Sequence, residues 1–247
     1  MKTGIFLSYK GIGANLLHLS YCHQIAKKFG PVSLITLCPN LDKVLKDDPN
    51  FSEVIFLDKF HKKFFDILKL SNFLKKFNFE NIFIFYPSVR HYISSKLAGI
   101  KNIYHYPLFK KKNLHLVEAA KTFTEKSLNI KNCPTETNFE INTSKIEKYK
   151  KNNLKKIILG ISSSGPTTKW GHDNFASLIK RMNKLNDYYF YLLCGPDDEN
   201  NAKKIIDQIK EQNCESLALK DISEIIHYIY CSDIFIGNDS FGHHVSS

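Results

Sequence analysis

The chain has 247 residues, 43% of them hydrophobic, with 35 Lys and Arg against 24 Asp and Glu for a formal net charge of +11. That is a globular composition, long enough for two domains of ordinary size. No stretch approaches a membrane span, and the apolar run before Lys10 is too brief for a signal peptide, so a cytoplasmic protein is expected. The positive charge is nearly all lysine, with Arg90 and Arg181 the only arginines. Specific nucleic-acid readers rely on arginine forks and interleaved aromatic platforms, so no nucleic-acid partner is expected. The run Lys110-Lys111-Lys112 reads either as a solvated loop or as a patch that attracts an anionic membrane surface or a phosphorylated substrate. The six cysteines lack C-x-x-C spacing and read as buried thiols, with no metal site and no cofactor called for.

Apolar runs and helical patterns alternate along the sequence. Residues 4–8 read as a buried strand, 15–29 as a helix, 32–37 and 54–57 as strands, 64–77 as a helix and 81–86 as a strand. A helix over 89–98, a short strand at 102–104 and a helix over 115–128 follow. The scheme then breaks: residues 131–154 show no sustained period and include a lysine-rich stretch, which reads as a linker with little to bury. A second set runs through a strand at 156–160, a helix over 174–185, a strand at 189–194 and a helix over 202–212. It continues with an apolar stretch near 217–219, a helix over 223–230 and a strand at 233–236. Strand and helix in alternation with short connections mean parallel strands, with ligands expected at their C-terminal ends. The domains expected are 1–130, a linker at 131–155, and 156–247. A helix opening just before Ser247 leaves the last sheet edge bare, so the second domain reads as lacking its C-terminal part.

Loops of small and polar residues follow particular strands. After the first comes Lys10-Gly-Ile-Gly-Ala-Asn15, where Gly11 and Gly13 admit close backbone approach; G-x-G is also a common tight turn. After the strand at 156–160 comes Ser162-Ser-Ser-Gly-Pro-Thr-Thr-Lys-Trp170, which reads as a diphosphate cradle or as a solvated Ser/Thr loop. Gly195-Pro-Asp-Asp-Glu199 offers a carboxylate that binds a ribose or a base, or else favourable charge at a helix start. Gly237-Asn-Asp-Ser-Phe-Gly-His-His244 places a hydroxyl and backbone N–H groups where a phosphate can bind.

In their order these segments resemble glycosyltransferase family 9, the heptosyltransferases of the lipopolysaccharide inner core. The resemblance rests on Gly11 to Gly13, on the hydroxyl-rich loop running into Lys169-Trp170 and Phe175, on Gly195 to Glu199, and on Asp239-Ser240 with His244. It implies a GT-B-like α/β fold of two Rossmann-like domains with parallel sheets, acceptor held by the first and nucleotide-sugar by the second. By position, Ser163 and Ser164 fall on hydroxyls near the donor phosphates and Glu199 on the carboxylate that contacts the nucleoside. Asp239, Ser240 and His244 fall on the family's Asp-Thr-Gly-x-x-His element, which binds the diphosphate. Thr168 stands where the family has a basic residue, with Lys169 one place later. Phe241 stands where it has glycine, with Gly242 next.

The family's first loop is followed by an Asp that acts as general base, and here that position is Ala14. Asn15 is not basic; His18 lies one turn further along with a suitable titration range and is the candidate catalytic residue, although a histidine on an otherwise apolar helix reads more often as a packing residue. Gly11, Gly13 and Asn15 make up the acceptor-side loop. Ser163, Ser164, Thr168, Lys169, Glu199, Asp239, Ser240, Gly242 and His244 make up the donor site. The resemblance implies an inverting transfer of a heptose-like sugar from an ADP-heptose-like donor to a lipopolysaccharide or other lipid-linked or glycan acceptor, with peripheral contact at the inner membrane surface. The alternative is a nucleotide-sugar-binding protein of the same fold without catalysis.

Overall fold

The computed structural model describes residues 2–58, 66–107, 114–136, 140–150, 153–163, 165–210 and 213–246, with the side chains at 145 and 166 also outside the description. Lys110 to Lys112, Ser164, the beginning of the helix expected at 64 and the end of that expected at 212 lie outside the described residues. Contacts divide the chain into two units, Met1–Glu140 and Ile141–Ser247.

The first unit is built on a parallel sheet of β1 (Thr3–Leu7), β2 (Val32–Thr36), β3 (Phe51–Phe56), β4 (Asn81–Ile84) and β5 (Asn102–His105), in the order β3-β2-β1-β4-β5. Every residue of β1 and β2 is buried, as expected of central strands covered on both faces. Strand period two sends Phe6, Ile35, Ile82 and Ile84 to one face, against Leu70 and Leu74 of α4 (Asp66–Lys75). On the other, Phe83 meets Phe29 of α2 (Leu19–Phe29), and Phe85 meets Phe123 of α6 (Leu116–Leu128). Between β4 and β5 lies α5 (Val89–Leu97), started by Ser88, whose Oγ accepts the His91 N–H.

The helix expected over 15–29 is two helices. The first, α1 (Ile12–Leu16), begins earlier than expected, because Gly11 and Gly13 are poor helix formers that hid it in the sequence. The break at 17–18 is a tightened turn: His18 N–H bonds the Asn15 carbonyl three residues back, while Asn15 turns its amide onto Tyr9 O and Gly11 O. A short α3 (Leu41–Val44), not anticipated from the sequence, follows β2.

The second unit has a parallel sheet of β6 (Lys155–Gly160), β7 (Tyr188–Leu193), β8 (Cys214–Ser216) and β9 (Ile234–Gly237), in the order β8-β7-β6-β9. Ile157, Leu159, Phe190 and Leu192 face α7 (His172–Met182) and α8 (Glu199–Ile209). Ile158, Tyr191 and Leu193 face α9 (Ile222–Tyr230) and α10 (Phe241–Ser246). The apolar stretch at 217–219 is not itself strand: β8 precedes it, and Leu217 is buried in the turn where its N–H bonds Leu192 O.

The segment expected to bury little packs at both ends. Cys133 is buried, and Ser20 Oγ donates to Pro134 O at 2.6 Å within the first unit. Residues Thr143–Tyr149 form a 3-10 helix whose spacing of three puts Ile146 and Tyr149 on one side, both buried, with Tyr149 stacked on His227 of α9. A lysine-rich exterior concealed that two-residue anchor. All six cysteines are free thiols, four of them buried.

Candidate functional site

In the second unit the chain runs outward from β6 through β7 to β8, then returns to β9 on the other side of β6. The connections leaving β6 and β9 therefore diverge, and such a switch point opens a crevice at the strand ends. The two strands finish unusually close together. A Cβ on Gly237 would lie 2.7 Å from Gly160 Cα, so only glycine fits there.

Asn238, immediately beyond, is buried and organises the crevice. Its N–H donates to Gly160 O at 2.9 Å and its Nδ2 to Ile161 O at 2.9 Å, while its Oδ1 accepts the Trp170 N–H at 3.1 Å. One side chain thus pins both ends of the hydroxyl-rich loop. Within that loop Ser163 Oγ and Thr168 Oγ1 share a hydrogen bond, Thr168 Oγ1 donates to Gly165 O at 2.9 Å, and Ser163 Oγ reaches Asp239 O at 3.4 Å. Ser163 and Thr168 are brought together with the β9 end.

Lys169 is not a loose cation. Its Nζ lies 2.8 and 3.1 Å from the two carboxylate oxygens of Asp198, in the 3-10 turn Pro196–Asp198 after β7. Asp198 also accepts from Ser162 Oγ at 2.7 Å and Asn201 Nδ2 at 2.9 Å. Partial burial alone would raise its pKa. The Lys169, Ser162 and Asn201 bonds outweigh that and hold the carboxyl below its ordinary value. Glu199, one residue on, pairs along its own helix with Lys203 at 2.9 Å.

Beyond β9, Asp239 is exposed and its Oδ1 stands 3.9 Å from His244 Nε2, one turn into α10. Ser240 is half-buried at the entry to that helix. Gly242 is buried, and a Cβ there would collide with the side chains of Leu193 and Phe235. Close packing of α10 on the strand ends is what requires glycine at 242. Sequence reasoning missed Asn238 and Asp198 as organisers. The neighbouring Asp197 has the same composition signal as Asp198, and only the fold distinguishes them.

The first unit's loop is arranged differently. Gly11 is exposed at the start of α1 and Gly13 lies within it. Asn15 is buried: its Nδ2 donates to Tyr9 O at 3.1 Å and Gly11 O at 2.7 Å, and its Oδ1 accepts Thr36 Oγ1 at 2.9 Å. Its amide holds the loop together and has no face for an acceptor, which corrects its expected role.

His18 requires a larger correction. It has no exposed surface, packs among Tyr9, Tyr21 and Phe85, and donates Nδ1–H to Ala14 O at 2.6 Å. Burial pulls its pKa down to about 4 against a smaller opposing effect of the Ala14 bond. A sealed, weakly basic imidazole does not fit a general base for a bound acceptor. Tyr9, whose OH donates to Phe85 O, has its pKa raised to about 12 by burial and Tyr86, and it stays protonated.

Among the described residues no group of three His, Cys, Asp or Glu could hold a metal ion, and no helix is long and apolar enough to cross a membrane. Two parallel α/β units, the second with its polar loops gathered at a switch point, define the class as a GT-B fold. The family model for glycosyltransferase family 9 (heptosyltransferase) matches residues 94–247, and the chain belongs to that family. Among solved structures it is similar to E. coli ADP-heptose LPS heptosyltransferase II, with a TM-score of 0.78 at 15% identity, covering 100% of this chain and 81% of that one. The family 9 glycosyl transferase of Veillonella parvula DSM 2008 gives 0.78 at 14%, covering 99% and 78%. E. coli heptosyltransferase WaaC with ADP gives 0.72 at 14%, covering 99% and 84%. No curated protein sequence matches.

Proposed function

We propose that the protein is an inverting glycosyltransferase that moves a heptose-like sugar from a nucleoside-diphosphate donor to a lipopolysaccharide or other glycan acceptor. The observation that carries this reading is the meeting of Ser163 and Thr168 with the Asp239 end of β9, in a loop that Asn238 ties at both ends and whose Lys169 is braced on Asp198. Hydroxyls, a lysine and helix-start N–H groups are what a diphosphate needs, both when bound and as the leaving group that accumulates charge. In the transfer an acceptor hydroxyl forms its bond to the anomeric carbon from the face opposite the diphosphate, the carbon–oxygen bond to the donor phosphate breaks, and the hydroxyl proton passes to a base. Solved complexes of WaaC with ADP and with ADP-2-deoxy-2-fluoro heptose support an adenine nucleotide as the first donor to try. Calorimetry with ADP, UDP and GDP tests the donor half, with micromolar binding of one of them expected; heat from none of the three defeats the reading.

A second reading, a binding protein without catalysis, draws on a specific observation. Ala14 offers no carboxylate, and His18 is sealed in the core. Ala14 is half-buried on α1 and its carbonyl is already engaged, so an Asp side chain can be added there without breaking the His18 bond. In an active transferase lacking its base, Ala14→Asp raises kcat by about a hundredfold, the usual contribution of a positioned base. Donor binding with no transfer by either form favours the binding protein.

A further inference from the structure

Two buried polar atoms of the first unit surround the same aromatic rings, and neither has a partner. Nε2 of His18 and the hydroxyl of Tyr106, the residue just past β5, make no hydrogen bond among the described residues. His18 has no exposed surface and Tyr106 is 9% exposed. The centre of the His18 ring lies 4.7 Å from that of Tyr9, 5.4 Å from Phe85 and 6.3 Å from Tyr21. Tyr106 shares these neighbours. Its ring centre is 5.8 Å from the same Phe85, and burial holds its phenol protonated, with Tyr9, Tyr21 and Cys22 adding to that effect. Leaving both groups bare costs the desolvation of each, which protein interiors avoid by pairing such atoms or enclosing water with them.

The positions of the protons define what fits between them. The Ala14 carbonyl can only accept, so His18 Nδ1, 2.6 Å away, carries the proton of the neutral ring and Nε2 presents a lone pair. That nitrogen needs a donor. Tyr9 spends its hydroxyl hydrogen on Phe85 O at 3.2 Å and Tyr21 on Val117 O at 3.0 Å, and the Phe85 ring has none to give. The two phenol oxygens keep lone pairs, while Tyr106 holds a hydrogen with no acceptor. A bridging molecule must therefore donate to a nitrogen and an oxygen and accept from a hydroxyl. Water does all three, and about three hydrogen bonds is what an internal water ordinarily makes. A cation fits poorly, because it would lose its hydration where the groups that act on Tyr106 are neutral and burial is the main influence on His18.

We infer that one water molecule is bound between His18 and Tyr106, donating to His18 Nε2 and to the oxygen of Tyr9 or Tyr21 and accepting the Tyr106 O–H. It ties the end of β5 to the turn between α1 and α2. Tyr106 thereby becomes a positioning residue for the β1 loop, acting through His18 on the Ala14 carbonyl. This inference does not rest on the transferase reading, because it requires neither donor nor acceptor. The test is a crystal structure of the 247-residue chain that shows ordered water, joined with oxygen-17 relaxation dispersion, which counts waters held inside a protein in solution. A density peak within about 3.2 Å of both His18 Nε2 and Tyr106 Oη is expected. His18→Phe with Tyr106→Phe removes both end partners and lowers the count of internal waters by about one. In nitrogen-15 spectra the wild-type His18 shows the Nδ1–H tautomer, with its Nε2 resonance moved to lower frequency by a hydrogen bond. Tyr106→Phe, which leaves the imidazole in place, returns that resonance toward the position of an unbonded ring nitrogen, a change that the loss of a merely packing tyrosine does not cause. No peak between the two side chains overturns the proposal, as does a direct bond from Tyr106 Oη to His18 Nε2 or an unchanged water count in the folded double variant. Should the double variant fail to fold, the wild-type density and the nitrogen-15 resonance decide the matter.

Discussion

The loops that follow the first strand of each sheet use their polar residues in opposite ways. After β1, the polar groups turn inward. Asn15 closes the loop on itself, His18 is walled in by aromatic rings, and Tyr9 bonds the end of β4. After β6, the loop's own hydroxyls stay accessible, and its shape is imposed by Asn238 and Asp198 from other strand ends. A loop fixed by its own side chains has few left to offer a ligand. One fixed from outside keeps its hydroxyls at the surface. The contrast places most of the legible chemistry of this protein in the second unit.

The sharpest way to break that comparison is through pH. His18 takes up its proton only at about 4, whereas a histidine of the unfolded chain does so near 6.5. The unfolded state therefore binds the proton first as pH falls. The stabilisation is fully present above about pH 6.5 and is lost progressively as pH falls toward 4, a swing of about 3 kcal/mol. His18→Phe preserves a ring among Tyr9, Tyr21 and Phe85 and removes the titration. Urea unfolding at about pH 7 and about pH 4.5 should show the variant losing about 2–3 kcal/mol less between them than the wild type. Equal losses would mean that His18 is open to solvent, and its candidacy as the base would return.

A smaller effect tests the outside brace on the β6 loop. Asn238→Ala leaves Ile161 O without the Nδ2 donor and Trp170 N–H without its acceptor, which costs about 1–3 kcal/mol. Trp170 is the single tryptophan of the chain and stands half-exposed on Phe175, so its emission reports on this loop alone. The variant should shift that emission to longer wavelength and weaken nucleoside-diphosphate binding together. A shift with unchanged affinity would separate the brace from the ligand site.

Much of the fold was legible because parallel strands covered on both faces read as short continuous apolar runs, as in Ile157 to Leu159 and Ile82 to Phe85. What escaped was short or disguised: α3 has one turn, the start of α1 lies between glycines, and Ile146 and Tyr149 are anchored at a 3-10 spacing among lysines. On the site, the hydroxyl loop and Asp239-Ser240 stood out as small polar residues after strands. Burial did not. Nothing in the local sequence distinguishes a histidine sealed beneath a loop from one facing a substrate, or an asparagine that ties two strand ends from one in a turn. Those assignments depend on which side of the sheet a helix covers, and that is set by residues such as Phe85, far from His18 in sequence.

The mildest prediction concerns the ion pair that ties the β6 loop to the turn after β7. Lys169 and Asp198 are partly exposed, so solvent screens their attraction, and the pair with its two neutral hydrogen bonds contributes about 1 kcal/mol or less. Because the Asp198 carboxyl titrates below its ordinary value, this contribution is present above about pH 4 and is lost as pH falls below that range. Asp198→Asn keeps the side-chain shape and removes the charge. It should lower stability slightly near pH 7, flatten the acid limb by the same small amount, and free Lys169 to meet a diphosphate without first leaving a carboxylate. Nucleoside-diphosphate affinity should therefore rise a few-fold in the variant, in the direction opposite to the loss expected for Asn238→Ala. Were affinity to fall in both, Asp198 would be positioning Lys169 for the ligand, and the β6 loop would need both of its outside supports to bind.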